Sequence, residues 1–286
     1  MFKKIALAAA LVSSAAFATW DYYPVLEGGK GSAKGGLYHD WDHDWSQAGL
    51  EIGARYSIIQ NLEISLQGWG VQFWGEWDCK RCVNGGGGLR DLTIGGRYEV
   101  APMITAFMDL NLPIGNDKVE WNEVSHTTPP SSEEIAIYLG GQFSMDVKEA
   151  PGLKFGTEAG LDWGFEHDNY ERGLELHMGG EMSYTIPNTE IAPFIGLQIK
   201  YRITESTSEA HRSHIEKIDG KDVEVFDGDT YEYGLDDDGD KQINLWLGSD
   251  FMIIPNQLNI RALLMVRSGR IGGEASRLYV GAEYFF

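Results

Sequence analysis

No stretch of this 286-residue chain stays apolar for the ~20 residues that a membrane-spanning helix needs. If the chain crosses a bilayer, it must do so as a closed barrel. An unpaired backbone amide finds no water in hydrocarbon, so an open sheet edge is excluded there. Basic residues are scarce: 23 Lys and Arg stand against 43 Asp and Glu, a formal net charge of −20. Phosphate backbones would be repelled, which argues against nucleic acid as a partner. Cysteine is nearly absent. Cys79 and Cys82 form a single Cys-x-x-Cys without two further ligands at metal spacing. In an oxidising compartment a local disulfide is the expected state, with a shared metal or free thiols as the alternatives. Nine prolines against 36 glycines suit a β protein with tight turns.

The N-terminus reads as a secretory leader. Lys3 and Lys4 precede the short apolar run Ile5 to Val12, and Ala16-Phe17-Ala18 is a small-x-small cleavage site. The expected organisation is a leader over 1–18 and one domain over 19–286.

The dominant signal in that domain is alternation with period two, the mark of a strand whose faces meet different surroundings. In 171–186, Leu174, Leu176, Met178, Met182 and Tyr184 oppose Glu175, His177, Glu181 and Ser183. In 275–286, Leu278, Val280, Ala282 and Tyr284 oppose Arg277, Tyr279, Gly281 and Glu283. Twelve such segments are expected: 24–38, 49–59, 62–77, 89–101, 103–115, 133–147, 153–167, 171–186, 191–206, 241–254, 257–270 and 275–286. The third changes parity near Gly68 to Gly70, which predicts a bulge. Short connections alternate with mostly long ones at 39–48, 78–88, 116–132 and 207–240, the asymmetry of an outer-membrane barrel.

Alternation alone does not say which face meets lipid, since a soluble sandwich alternates too. The heavy charge of the polar face decides for a membrane barrel with a wet lumen. An Arg or Lys facing lipid at the midplane costs ~2–4 kcal/mol, and slipping one strand by one residue would exchange its faces. The fold class is therefore all-β, a transmembrane antiparallel barrel of twelve strands in a bacterial outer membrane, with lipid and small solutes as partners. Acids crowd the middle strands (Glu158, Asp162, Glu166, Glu175, Glu181) and bases the late ones (Lys200, Arg202, Arg261, Arg267, Arg277). Two arrangements stay open. The sets face each other across a pore and set its selectivity, or they pair and fill a narrow barrel.

Other motifs are weaker. His39 and His43 would converge on a metal only on a helix, and no helix is expected there. Asp236, Asp238 and Asp240 resemble part of a calcium loop, but Leu245 stands where an EF-hand has its closing Glu. The 207–240 loop carries twelve acids and three bases, so a loop-bound divalent cation is the sole cofactor considered. His177 shares a face with Glu175 and Ser183, but Ser183 is six residues on, about 20 Å at strand rise, so no local catalytic triad forms. No enzyme is expected.

Two stretches carry a family resemblance. Gly88-Leu89-Arg90-Asp91-Leu92-Thr93-Ile94-Gly95-Gly96-Arg97-Tyr98 resembles the Gly-x-x-Asp-Leu-x-x-Gly-x-Lys/Arg-Tyr strand of the outer-membrane transporters labelled meta-pathway phenol-degradation-like. Asp109-Leu110-Asn111-Leu112-Pro113-Ile114-Gly115-Asn116 is similar to their Leu-Pro-Thr-Gly segment, with Ile114 replacing Thr. The resemblance implies a twelve-stranded porin-like barrel and extends the candidate solutes to small hydrophobic or aromatic compounds. It transfers no functional residue. The expected function is passive passage of small solutes, with a structural or adhesive barrel, or an outer-membrane hydrolase, as alternatives.

Overall fold

A computed structural model of the chain describes residues 22, 24–43, 45–77, 87–116, 131, 134–165, 170–218, 221–236, 240–269 and 274–286, with 76–77, 170–171, 206–216, 218 and 221–236 described as backbone. The expected leader and Cys79 and Cys82 lie outside these residues. Among them are sixteen strands: β1 (Gly31–Trp41), β2 (Trp45–Ile59), β3 (Leu62–Trp77), β4 (Gly88–Leu89), β5 (Leu92–Ala101), β6 (Ile104–Leu112), β7 (Ala136–Asp146), β8 (Leu153–Gly164), β9 (Tyr170–Glu171), β10 (Glu175–Tyr184), β11 (Ile191–Arg202), β12 (Ser206–Ile218), β13 (Lys221–Asp236), β14 (Lys241–Ile254), β15 (Leu258–Gly269) and β16 (Ala275–Phe285). Twelve of them close into one antiparallel ring, ordered β1-β2-β3-β5-β6-β7-β8-β10-β11-β14-β15-β16, and β16 pairs back onto β1. Closure leaves the ring without an unpaired edge, the condition that hydrocarbon imposes on a sheet. The two-residue β4 adds a short pairing to the upper half of β3.

The barrel is inside out relative to a soluble protein. Its largest fully buried side chains are Glu63, Glu175, Glu181, Asp40, Asp250, Ser32 and Ser57, none of them apolar. The large apolar side chains stand outside on every barrel strand, for example Leu139 on β7, Leu247 on β14 and Val280 on β16. No helix among the described residues is long and apolar enough to cross a membrane. The strands carry the crossing, each alternating apolar outward and polar inward.

The expected bulge in β3 is present. Gly68 takes φ 71°, and the pairing of β2 with β3 slips between Ile52 and Ala54, where Ile52 faces Trp69 and Ala54 faces Leu66. A left-handed residue restores the face on which later side chains project, and glycine adopts it without steric cost.

Two expectations are corrected. The first strand is Gly31–Trp41 and not 24–38. The earlier residues form a turn, with Lys30 N–H donating to the Glu27 carbonyl at 3.0 Å, and Tyr22 and Leu26 are buried. The strand then continues through His39-Asp40-Trp41, which reads as a polar loop by composition. At a barrel rim an inward acid between outward aromatics is strand. The expected 39–48 loop therefore shrinks to a connection between Trp41 and Trp45.

The second correction is the 207–240 segment, expected as a loop. Its backbone forms the hairpin β12–β13, and β9 pairs with β12. Its acidity masked strand-forming residues at Val223, Val225, Tyr231 and Tyr233.

The lipid-facing assignment has a direct test. Leu139→Arg places a charge on the outer face near the middle of β7. It should cost about 2–4 kcal/mol of folding free energy. Equilibrium unfolding from lipid vesicles measures this, with Leu139→Ile, expected below about 1.5 kcal/mol, as the comparison.

Candidate functional site: the barrel lumen

The candidate site is the lumen, built from the inward residue of each strand pair. Near the short-turn end, Arg55 on β2 lies 3.7 Å from Glu63 and 3.6 Å from Glu283, and its Nε donates to Ser32 Oγ at 3.2 Å. The Leu26 amide donates to Glu63 Oε2 at 2.9 Å, which ties the N-terminal segment into this group.

Halfway up, Tyr22 lies against Trp246 with ring centroids 5.7 Å apart. Phe194 completes the cluster, and Leu263 and Met265 pack on it. Leu263 and Met265 are inward residues of β15, so its lumen face turns apolar between Arg261 and Arg267. Trp246 Nε1 donates to Glu181 Oε2 at 2.7 Å, and Arg261 grips Glu181 with bonds of 2.9 and 2.8 Å. The Arg261 guanidinium lies 3.7 Å from the Phe194 ring centroid, a cation–π contact, and 3.5 Å from Asp250. Beside this group is a cavity of about 280 Å³ bordered by Tyr22, Lys34, Glu51, Trp246, Arg261, Leu263, Met265, Arg277 and Tyr279. One wall is apolar and aromatic, the other charged.

Toward the long-loop end, Arg277 bonds Asp40 at 2.6 and 2.8 Å, and Gln47 donates to the same carboxylate. Lower on the far wall, at the height of Glu63, Arg97 holds Asp109 at 3.3 and 3.2 Å. Tyr138 and Gln142 donate to Glu158 at 2.5 and 2.8 Å. Glu175 sits opposite both Asp162 on β8 and Arg202 on β11. It accepts from Arg202 at 3.2 Å and lies 2.9 Å from His177 Nε2, which is 3.8 Å from Asp162. The Tyr138 ring lies 5.2 Å from the imidazole.

Every described member of the expected charge set lies on the lumen face: Glu158, Asp162, Glu175, Glu181, Lys200, Arg202, Arg261, Arg267 and Arg277. Glu166 lies outside the described side chains. The acids and bases do not form two facing walls. Pairs Glu175–Arg202 and Glu181–Arg261 join the two sets directly. The reason lies in the register: Glu175 and Arg202 are cross-strand partners on neighbouring β10 and β11. Sequence alone gives the face of a residue but not its height.

Of the expected metal candidates, His39 and His43 do not converge. His39 points outward between Trp41 and Trp74, with centroids 5.2 and 6.0 Å away. His43 is exposed beside Asp42, and this bond lowers the Asp42 carboxyl below its usual range. Asp238 lies outside the described residues, as does the Asp236 side chain, and Asp240 is half-buried in the approach to β14. Among the described residues the group with metal-like spacing is Asp162, Glu175 and His177. Their sequence separation hid it; the signal was the inward parity of all three. Arg172 was missed too, because the expected strand 171–186 gave it outward parity.

Fold and lumen define a class: an outer-membrane β-barrel with a charged interior. No family model and no curated protein matches the chain. Among solved structures, it is similar to the COG4313 outer membrane channel from Pseudomonas putida F1, with a TM-score of 0.64 and 14% identity over 94% of this chain and 99% of that one. The translocator domain of the autotransporter NalP from Neisseria meningitidis gives 0.50 at 13% identity over 91% and 89%. LpxR from Salmonella typhimurium gives 0.50 at 9% identity over 89% and 100%. At these identities the likeness establishes the fold.

The Glu181–Arg261 pair predicts a non-additive pair of substitutions. Glu181→Gln and Arg261→Gln should each destabilise the folded barrel by about 1–3 kcal/mol, because each strands its buried partner. The double variant should lose less than the sum. Denaturant unfolding in detergent micelles reads both numbers.

Proposed function

We propose that this barrel is an outer-membrane channel for passive passage of small solutes. The observation that carries the reading is a closed twelve-strand wall around a lumen lined with charge and holding water-sized free space. A barrel serving only as an anchor has no need of an interior that contains a charged cavity of about 280 Å³. The similarity of fold to an outer-membrane channel supports the reading. The short-turn end then faces the periplasm and the β12–β13 hairpin the exterior.

In this reading the N-terminal segment sets the size of the path. Tyr22 enters the lumen, where its ring stacks on Trp246 and its hydroxyl lies close over Gly179 of β10. Solutes with an apolar or aromatic body suit the wall that Tyr22 covers, and the charged wall opposite suits a polar head. The ion pairs of the lumen set its selectivity. We read the barrel as non-catalytic: among the described residues, the groups found beside His177 are Glu175, Asp162 and the Tyr138 ring, with no serine, threonine or cysteine among them.

Liposome swelling tests this. Vesicles holding the folded barrel should swell in small neutral or zwitterionic solutes. Tyr22→Ala, which empties the ring's place, should raise the rate for the larger solutes. Swelling no faster than in protein-free vesicles, for both forms, contradicts the proposal.

A further inference from the structure

Arg172 lies before β10, in a segment that continues the wall beside β11 at the long-loop end: the Leu174 N–H donates to Thr204 Oγ1 at 2.8 Å, and the Ile203 N–H donates to the Leu174 carbonyl at 2.7 Å. Its neighbour Gly173 is buried, and a Cβ there would meet the Thr204 carbonyl oxygen, which is backbone and cannot yield. The strand pattern breaks beside this close contact, and the Arg172 side chain turns inward where alternation would send it out. Its guanidinium then meets three carboxylates from three places in the fold. Nε donates to Glu134 Oε1 at 3.0 Å, an Nη donates to Asp162 Oδ1 at 2.9 Å, and Glu175 lies 4.0 Å away. Burial works against its charge, yet Asp162, Glu134 and Glu175 outweigh it and hold the guanidinium above its usual pKa. Burial also pushes the Glu134 carboxyl above the usual carboxylate range, against the pull of Arg172.

Next to this guanidinium is a second cavity, of about 290 Å³, bordered by Thr93, Asp109, Asn111, Glu134, Tyr138 and Asp162. Its polar lining is dominated by acceptors, and the Tyr138 ring gives it one flat wall. A planar cation needs that set: carboxylates at the edges of a fork and an aromatic face beside it. The cation that meets Glu134 and Asp162 comes from the segment before β10, while Asp109 is held by Arg97 of the wall.

We propose that this cavity is a binding site for planar organic cations of the guanidinium or amidinium class, and that Arg172 is its tethered occupant. An incoming cation competes with Arg172 for Glu134 and Asp162, and the displaced side chain moves into the adjoining space. The inference rests on the channel reading only for its consequence, entry of such cations at the outer mouth. The site itself is a matter of binding.

The test is calorimetric titration of the folded barrel in detergent with methylguanidinium chloride, which needs no conductance. Arg172→Ala should bind it about tenfold or more tightly than the unaltered chain, since the competitor is gone. Adding Glu134→Gln to that variant should remove the gain, and tetramethylammonium, which cannot donate, should show none. Equal affinity with and without Arg172, a gain that survives Glu134→Gln, or an equal gain for tetramethylammonium would each overturn the proposal. Should Arg172→Ala fail to fold, judged by heat-modifiable migration, Arg172→Gln serves in its place with the same expectations. A barrel that gains methylguanidinium binding but passes no solute would keep this site and refute the channel.

Discussion

Everything in this structure follows from the saturation of backbone hydrogen bonds in hydrocarbon. A strand facing lipid must be paired on both sides, so twelve strands close on themselves, β16 onto β1. Closure creates an interior, and the period-two alternation then sorts side chains between lipid and lumen without exception for charge. Glu181 and Asp250 are fully buried because they face inward, and they are tolerated because Arg261 reaches both. A buried charge without a partner costs several kcal/mol, so the lumen's ion pairs are a condition of the barrel as well as a lining for solutes.

The same constraint divides the lumen into levels. Near the short turns the N-terminal segment is bonded through Leu26 to Glu63, and Tyr22 rises to Trp246. Near the long loops Arg172 binds three wall segments together. Between these points the wall is lined on β14–β15 by the apolar side chains of Trp246, Leu263 and Met265. In the proposed channel a solute meets an acceptor-rich cavity toward the long loops and an aromatic one nearer the short turns, bordered by Arg172 and Tyr22 respectively.

Much of this was legible from the sequence. Eleven of the twelve barrel strands fall where alternation puts them, because a lipid-facing wall cannot tolerate an error of face. The bulge at Gly68 was legible for the same reason: parity fails there and must be restored. The first strand was not, since glycine-rich 24–30 and strand 31–41 look alike by composition. The inward set of charges could be read from parity, but their pairing could not. Glu175 meets Arg202 through the relative stagger of β10 and β11, which turn length and closure fix. Arg172 was hidden because it lies outside β10, which starts at Glu175, so the strand's parity does not apply to it. The hairpin β12–β13 was hidden by acids that are costly in a soluble core and harmless in a sheet above the membrane.

The most direct test of the account is the conductance of the folded barrel in a planar bilayer under a salt gradient, before and after removal of residues 22–30. The account predicts discrete ohmic steps, small while Tyr22 stands against Trp246 and larger once the segment is gone. A folded barrel that stays silent in both forms would contradict the claim that this lumen is a path.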